Sequence, residues 1–183
     1  MSDTIDQIHE DHRNYSILLS LLNTDVEHLQ QGVHTDFIRL YDIMNYMTNY
    51  PDVKHHPSEE IIFDHLLEKH PELSEEIEAL VNEHRQLAET GSALKEKLQY
   101  VTSGAIVPKD DILKATMAYS ELLISHLNFE EGKLLPMVEK QFTEDDWKKI
   151  HAQIESTEDP LFGSVVDEQF SDLFKRIALQ KQN

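Results

Sequence analysis

The chain contains no cysteine, which excludes disulfides, thiolate metal sites and cysteine nucleophiles. Its 5 glycines and 6 prolines in 183 residues are too few for an all-β protein of many turns. No apolar run approaches the ~20 residues that span a bilayer. The opening stretch MSDTIDQIHEDH is acidic and polar and does not read as a secretory signal. Positive charge is scarce: 16 Lys and Arg stand against 35 Asp and Glu, a formal net charge of -19. Such a surface repels phosphate backbones and anionic membranes, so neither nucleic acid nor a membrane is an expected partner. These absences predict a soluble, cytoplasmic protein.

What the chain does have is apolar residues at helical spacing, enough of them for a core, and 11 histidines. Residues 3–31 carry Ile5, Ile8, His12, Tyr15, Leu19 and Leu22 three or four apart, and Gly32 follows as a stop. Thr35 and Asp36 start a second helix through Phe37, Leu40, Ile43, Met44 and Met47. It meets Pro51, and the segment YPDVK is expected to be an irregular link. A helix resumes near His55 and runs to about Lys69, with Pro57 tolerated in its first turn. Pro71 and Ser74 mark the next start, and Ile77, Leu80, His84, Leu87, Gly91, Leu94 and Leu98 form one stripe. After a loop at SGAIVP, a fourth helix over residues 109–140 aligns Ile112, Ala115, Tyr119, Leu122, His126, Glu130 and Met137.

Four long amphipathic helices with short connections predict an all-α, up-and-down four-helix bundle over residues 1–142. Residues 143–183 are expected to add short helices packed on the bundle, covering one end or meeting another subunit. FTEDDWKKIHAQI reads as a capped helix, DPLFG as a turn and VVDEQFSDLFKRI as a last helix.

The bundle is internally repeated. DHRNYSILLSLL in the first helix parallels EHRQLAETGSAL in the third, and HHPSEEIIF parallels HLNFEEGKLL in the fourth. Without gaps, His55 falls on His126, Glu59-Glu60 on Glu130-Glu131, and Phe63 on Leu134. From His12 to His55 is 43 residues, and from His84 to His126 is 42. Each hairpin therefore supplies one bare histidine and one His-x-x-x-Glu pair, giving four imidazoles and two carboxylates pointing inward. The repeat favours His55 with Glu59 over the adjacent pair, His56 with Glu60, which lies about 100° round the helix; that alternative stays open.

A single buried histidine is ordinarily satisfied by one hydrogen bond. Here His12, His84 and His126 all interrupt apolar stripes, and Glu130 shares the inner face. Buried glutamates are costly and repel each other. Two metal ions resolve both problems, with carboxylates between them and neutral imidazoles on their outer positions. The mixed nitrogen and oxygen set suits iron or manganese better than structural zinc. His28, His34, His65, His70 and His151 are expected to be solvated, and Glu60 and Glu131 to be helix-surface carboxylates. His9 and His56 read as neighbours that support the ligands, and Tyr15 and Tyr119 as packing residues.

At these residues the chain resembles the hemerythrin-like family, the cation-binding domain named for its His-His-Glu pattern. The matched elements are DHR at 11–13, HHPSEEIIF at 55–63, EHR at 83–85 and HLNFEEGKLLP at 126–136, within about residues 3–140. The resemblance implies a non-haem centre of two Fe ions with an oxo or hydroxo bridge, in which Mn or Zn can substitute. The ligands it implies are His12, His55, Glu59, His84, His126 and Glu130, with both glutamates bridging. The chain departs from oxygen-carrying hemerythrins at Leu80, where they place a further histidine. That points to the bacterial branch linked to nitric oxide, peroxide or iron-centre stress. The first expectation is a module that binds O2 or NO at an open iron position, in sensing, storage or stress response. A di-iron enzyme acting on peroxide or NO, and an iron-storage or structural bundle, are the alternatives. No catalytic residue is identifiable, and a homodimer or a separate redox partner is compatible with each reading.

Overall fold

A computed structural model describes residues 3–154 and 157–180. The first two residues of the acidic opening stretch, and residues 155–156 and 181–183 of the expected extension, lie outside the described residues. The described part is all-α.

Helix α1 spans Asp3–Gln31 and buries Ile5, Ile8, His12, Tyr15, Leu19, Leu22 and Val26 on one face. It ends where Gly32 takes a φ of 70°. The N–H groups of Gly32 and Val33 return to the carbonyls of Leu29 and His28 at 3.2 and 2.9 Å. This is the glycine-closed helix end, in which the left-handed residue has no Cβ to clash. Helix α4, Ser74–Thr102, ends the same way at Gly104, whose φ is 89°. Helix α2, Phe37–Met47, is capped by Asp36, whose side chain accepts from the Arg39 N–H at 3.0 Å.

The link YPDVK is not irregular, which corrects the expectation. Pro51–His55 forms one π-helical turn closed by the His56 N–H on the Pro51 carbonyl, and α3, His56–Lys69, follows directly. Pro51 is tolerated because it opens the turn, where its missing N–H is not required. The fourth long helix carries a matching feature. Lys109–Phe129 (α5) passes through a π-helical turn at Glu130–Leu134 into α6, Leu135–Gln141. One wide turn ends on His55 and the other begins on Glu130, so each His-x-x-x-Glu pair adjoins a local change of helical phase.

Helix α1 packs on α2 and α5, and α4 packs on α2, α3 and α5. The core has two apolar layers. One gathers Ile5, Ile8, Ile62, Phe63, Leu66, Ile77, Leu80, Leu134 and Val138. The other gathers Tyr15, Leu18, Leu22, Leu40, Met44, Leu87, Leu94, Tyr119 and Leu123. Along α1 the switch between layers falls at His12, along α4 at His84, and along α5 to α6 between His126 and Glu130. The inward polar residues thus form a single slab between two oily ones.

Beyond the four long helices, α7 spans Glu144–His151 and α8 spans Ser171–Gln180. Ile150 buries itself in the layer of Ile62 and Phe63, and Leu161, Phe170, Leu173 and Ile177 join the other layer. The last helix begins later than VVDEQF suggests. The Asp167 N–H closes on the Pro160 carbonyl at 2.8 Å, so Val165 and Val166 lie in a loop, and a short 3-10 turn at Glu168–Phe170 precedes α8.

Candidate metal centre

His12, His55, Glu59, His84, His126 and Glu130 all meet in the polar slab. Glu59 and Glu130 are each 0% exposed. His12 Nε2 lies 3.1 Å from His55 Nε2, and both are 3.2 Å from Glu59 Oε1. The other Glu59 oxygen, Oε2, faces His84 Nε2 at 3.7 Å. Glu130 Oε2 lies 3.4 Å from His12 Nε2 and 3.3 Å from His126 Nε2, while its Oε1 is 3.7 Å from His84 Nε2. Each carboxylate therefore presents its two oxygens to imidazoles of both hairpins.

The outer side of the slab is equally regular. Glu131 accepts from His12 Nδ1 at 2.7 Å, and Asp11 from His55 Nδ1 at 3.0 Å. Glu60 accepts from His84 Nδ1 at 3.1 Å, and Glu83 from His126 Nδ1 at 3.2 Å. Ionised carboxylates only accept, so each Nδ1 donates outward and each ring turns its Nε2 inward. That is the arrangement a metal takes, oriented as carboxylate–histidine pairs orient ligands elsewhere. The wiring obeys the repeat: the acidic residue before each bare histidine serves the opposite histidine of its own hairpin, and the second glutamate of each doublet serves the other hairpin.

Burial sets the electrostatics. It opposes charge on His12, but hydrogen bonds to Glu131 and Glu59 outweigh it and push His12 up to about 10. His84 is pushed down to about 2 by burial and by His56 beside it, and His126 to about 3 mainly by burial. Burial also opposes ionisation of Glu59, yet His55 and the hydrogen bonds from His12 and His55 hold its carboxyl well below the usual range. Burial and the charge of Glu59 drive Glu130 well above it. The two shifts run in opposite directions, as those of like charges sharing one dry site do.

These residues fit a pair of cations. Glu59 Oε2, both oxygens of Glu130, and Nε2 of His84 and His126 are buried with no hydrogen-bond partner in the protein. Five orphaned acceptor-type atoms converging in one place is costly unless something positive lies among them. Two sets of donor atoms fall within 4.8 Å of one another: His12, His55 and Glu59, and His56, Glu59, His84 and His126. They share Glu59.

Residues 3–138 match the hemerythrin HHE cation binding domain. The chain belongs to this family. It is a cation-binding helical bundle, and among the described residues no helix is long and apolar enough to cross a membrane. No curated protein and no solved structure matches the chain.

Several residues play parts that sequence reading did not assign. Asp11, Glu83, Glu60 and Glu131 are hydrogen-bond partners of the inner histidines; Glu60 and Glu131 are not merely surface carboxylates. The signal was the acidic residue repeated before His12 and His84 and the repeated Glu-Glu doublet. His65 is buried against Asp146 at 3.1 Å, which corrects its reading as solvated; it anchors α7. His9 is half-buried, with Nδ1 3.0 Å from Glu131, one step outside His12. Tyr15 presents a ring edge to His55 with centroids 4.9 Å apart, and Tyr119 packs against α4 at Gly91, where a Cβ would stand 3.1 Å from its ring. A cavity of about 550 Å3 reaches Asp11 and His55 from the surface, walled by Tyr50 and by Asp159 and Phe162 of the C-terminal segment.

Proposed function

We propose that this chain is a non-haem di-iron protein that takes up a small diatomic molecule, O2 or NO, at an open coordination position. The observation that carries the reading is the convergence of orphaned oxygens of Glu59 and Glu130 with bare histidine nitrogens between two apolar layers. Its proposed ligands are His12, His55, Glu59, His84, His126 and Glu130. Four imidazole nitrogens and four carboxylate oxygens fall short of the roughly twelve positions of two octahedral ions, which leaves room for a ligand. The iron pair supplies Lewis acidity and reversible electron transfer. The chain's residues do the rest. Glu59 and Glu130 hold the ions together, and the Nδ1 partners fix the imidazoles. The apolar layers exclude water and charged solutes, which favours an uncharged diatomic ligand.

We also infer that residues 1–142 form the ion-binding bundle and residues 143–183 an extension docked on it, which walls the approach to His55. A separate redox partner and a cytoplasmic location are consistent with the reading.

Metal analysis of purified protein, reconstituted anaerobically with ferrous ion, tests the first part; two irons per chain are expected. Stopped-flow spectra of the reduced protein with O2, NO and H2O2 test the second. A reversible adduct with O2 or NO is the expected result. Repeated turnover of peroxide or NO would instead favour the enzyme, and fewer than one transition-metal atom per chain would sink the whole reading.

A further inference from the structure

Three tyrosines lie in a row between the centre and the surface. Tyr15 presents its ring edge to His55 with centroids 4.9 Å apart. Tyr46 follows at 6.3 Å from Tyr15, and Tyr50 stacks on Tyr46 at 5.8 Å with planes 19° apart. Tyr50 walls the cavity of about 550 Å3 that opens at the surface. Each step joins neighbouring rings, so an electron crosses only short gaps along the row. The internal repeat does not require this arrangement. His12 corresponds to His84, so Tyr15 corresponds to Leu87, and packing accepts an aliphatic residue at that place in the other hairpin.

The middle ring is the one placed to lose an electron. Tyr46 is 0% exposed, and its hydroxyl donates to Asp159 Oδ2 at 2.7 Å. Phe162 and Phe170 meet it edge-on at 5.8 and 5.7 Å and screen it from solvent. A phenol gives up an electron readily only when its proton leaves too, and here a carboxylate already accepts that proton. Burial and the charge of Asp159 keep Tyr46 from ionising by itself, and burial raises Asp159, which makes its carboxylate a better base. Asp159, Phe162 and Phe170 all belong to the C-terminal segment, which thereby completes the surroundings of Tyr46.

We propose that Tyr15, Tyr46 and Tyr50 form a redox relay that draws oxidising equivalents away from His12 and His55 and delivers them to the cavity, where a small neutral or cationic hydrogen-atom donor quenches them. The inference rests on the di-iron reading above. The oxidant is hydrogen peroxide. In sum, one peroxide, one ferrous ion and one tyrosine give a ferric ion, a hydroxide ion, a water molecule and a neutral tyrosyl radical. The Tyr46 O–H bond breaks: its electron leaves through Tyr15, and its proton crosses to Asp159 while solvent supplies an equal one to the water. A donor in the cavity then loses one electron and one proton. The electron reaches Tyr46 through Tyr50, Asp159 returns the proton it held, and the donor's proton passes to solvent. Asp3, Glu10 and Glu158 line the cavity and disfavour an anionic donor.

The test uses the full-length chain, reconstituted anaerobically with ferrous ion, mixed with hydrogen peroxide and freeze-quenched for electron paramagnetic resonance. Wild type is expected to give the hyperfine pattern of a neutral tyrosyl radical. The signal should be lost in Tyr46→Phe and Tyr15→Phe, and retained in Tyr50→Phe and in Tyr119→Phe, which alters a buried tyrosine of the other hairpin. Hydroxyurea, a small neutral hydrogen-atom donor, should shorten the life of the radical in wild type but not in Tyr50→Phe. Peptide mass spectrometry should find more oxidised His12 and His55 in Tyr15→Phe and Tyr46→Phe than in wild type. Each variant removes one hydroxyl, and circular dichroism and iron content measured on every sample show that the bundle and its centre are intact. Iron-loaded wild type without a tyrosyl signal, or a signal that survives Tyr46→Phe, would overturn the relay and leave the centre standing. Equal quenching in Tyr50→Phe would overturn the exit through the cavity. Wild type without bound iron would refute the di-iron reading, and the relay with it.

Discussion

His12 Nε2 and His55 Nε2 stand 3.1 Å apart, each 3.2 Å from the same oxygen of Glu59. Adjacent donors on one ion with bonds of about 2.1 Å lie about 3.0–3.4 Å apart. Two imidazoles from different helices and a carboxylate have the mutual spacing of ligands to one ion.

Glu59 and Glu130 crowd like charge into a dry slab, so the metal-free protein gives up stability for its site. Glu130→Gln should leave the melting temperature of metal-free protein unchanged or higher. It should abolish the gain on adding ferrous ion, which in the parent is about 2.7 kcal/mol at 100-fold excess over Kd, or about 5–10 °C for a chain of this size. Paired thermal melts with and without ion provide the check. A variant that keeps the full metal-dependent shift would remove Glu130 from the ligands.

Glu131 and Glu60 act through His12 and His84. Glu131→Gln and Glu60→Gln should each weaken iron binding about 10- to 100-fold while leaving helix content intact. Glu121, exposed on α5, is the control, and Glu121→Gln should change nothing. Competitive titration with a chelator measures all three.

Asp146 clasps α7 to the bundle. Its Oδ2 accepts from the Thr143 N–H at 2.7 Å and pairs with Lys69 at 2.9 Å, and its Oδ1 lies 3.1 Å from His65. The backbone N–H of Thr143, followed by Lys69, holds its carboxyl below the ordinary value of 3.8. A depressed pKa stabilises fully above the ordinary value, and the stabilisation is lost as pH falls through the folded one. Asp146→Ala should cost about 1–2 kcal/mol at pH 7, and the difference from the parent should shrink below pH 3.8. Denaturant titrations at stepped pH decide it; a difference that grows in acid would reverse the sign.

The C-terminal segment is tied down by Tyr46, which donates to Asp159 at 2.7 Å, and by Phe170, set edge-on to Tyr46 at 5.7 Å. Phe170→Ala should cost about 3–5 kcal/mol. Tyr46→Phe should cost only about 1 kcal/mol, because Asp159 keeps the N–H groups of Leu161 and Phe162 at 2.7 and 2.9 Å. Limited proteolysis should show faster cleavage within residues 157–180 in the alanine variant than in the phenylalanine one. Equal cleavage in both would mean that the segment is not docked as proposed.

Periodicity was enough to read the long helices, because an apolar stripe three or four residues apart has one cheap way to be buried. The bounds of α1, the glycine stops at Gly32 and Gly104, and the capped start at Thr143 were all local signals. The π-helical turn at Pro51–His55 was not legible, because a proline after a helix ordinarily marks its end, and the contacts of His55 with Asp11 and Tyr15 on α1 are made 44 and 40 residues away in the chain. His65 was misread for a related reason: its partner, Asp146, lies 81 residues away.

By itself the sequence determined the bundle, the two-hairpin repeat and the six residues that had to share its interior, because period and register are properties of a helix alone. Tertiary structure decided what surrounds them. It set which carboxylate steadies which imidazole and turned His56 inward beside His55. Those facts depend on where one helix lies against another, and no spacing along a single helix encodes that distance.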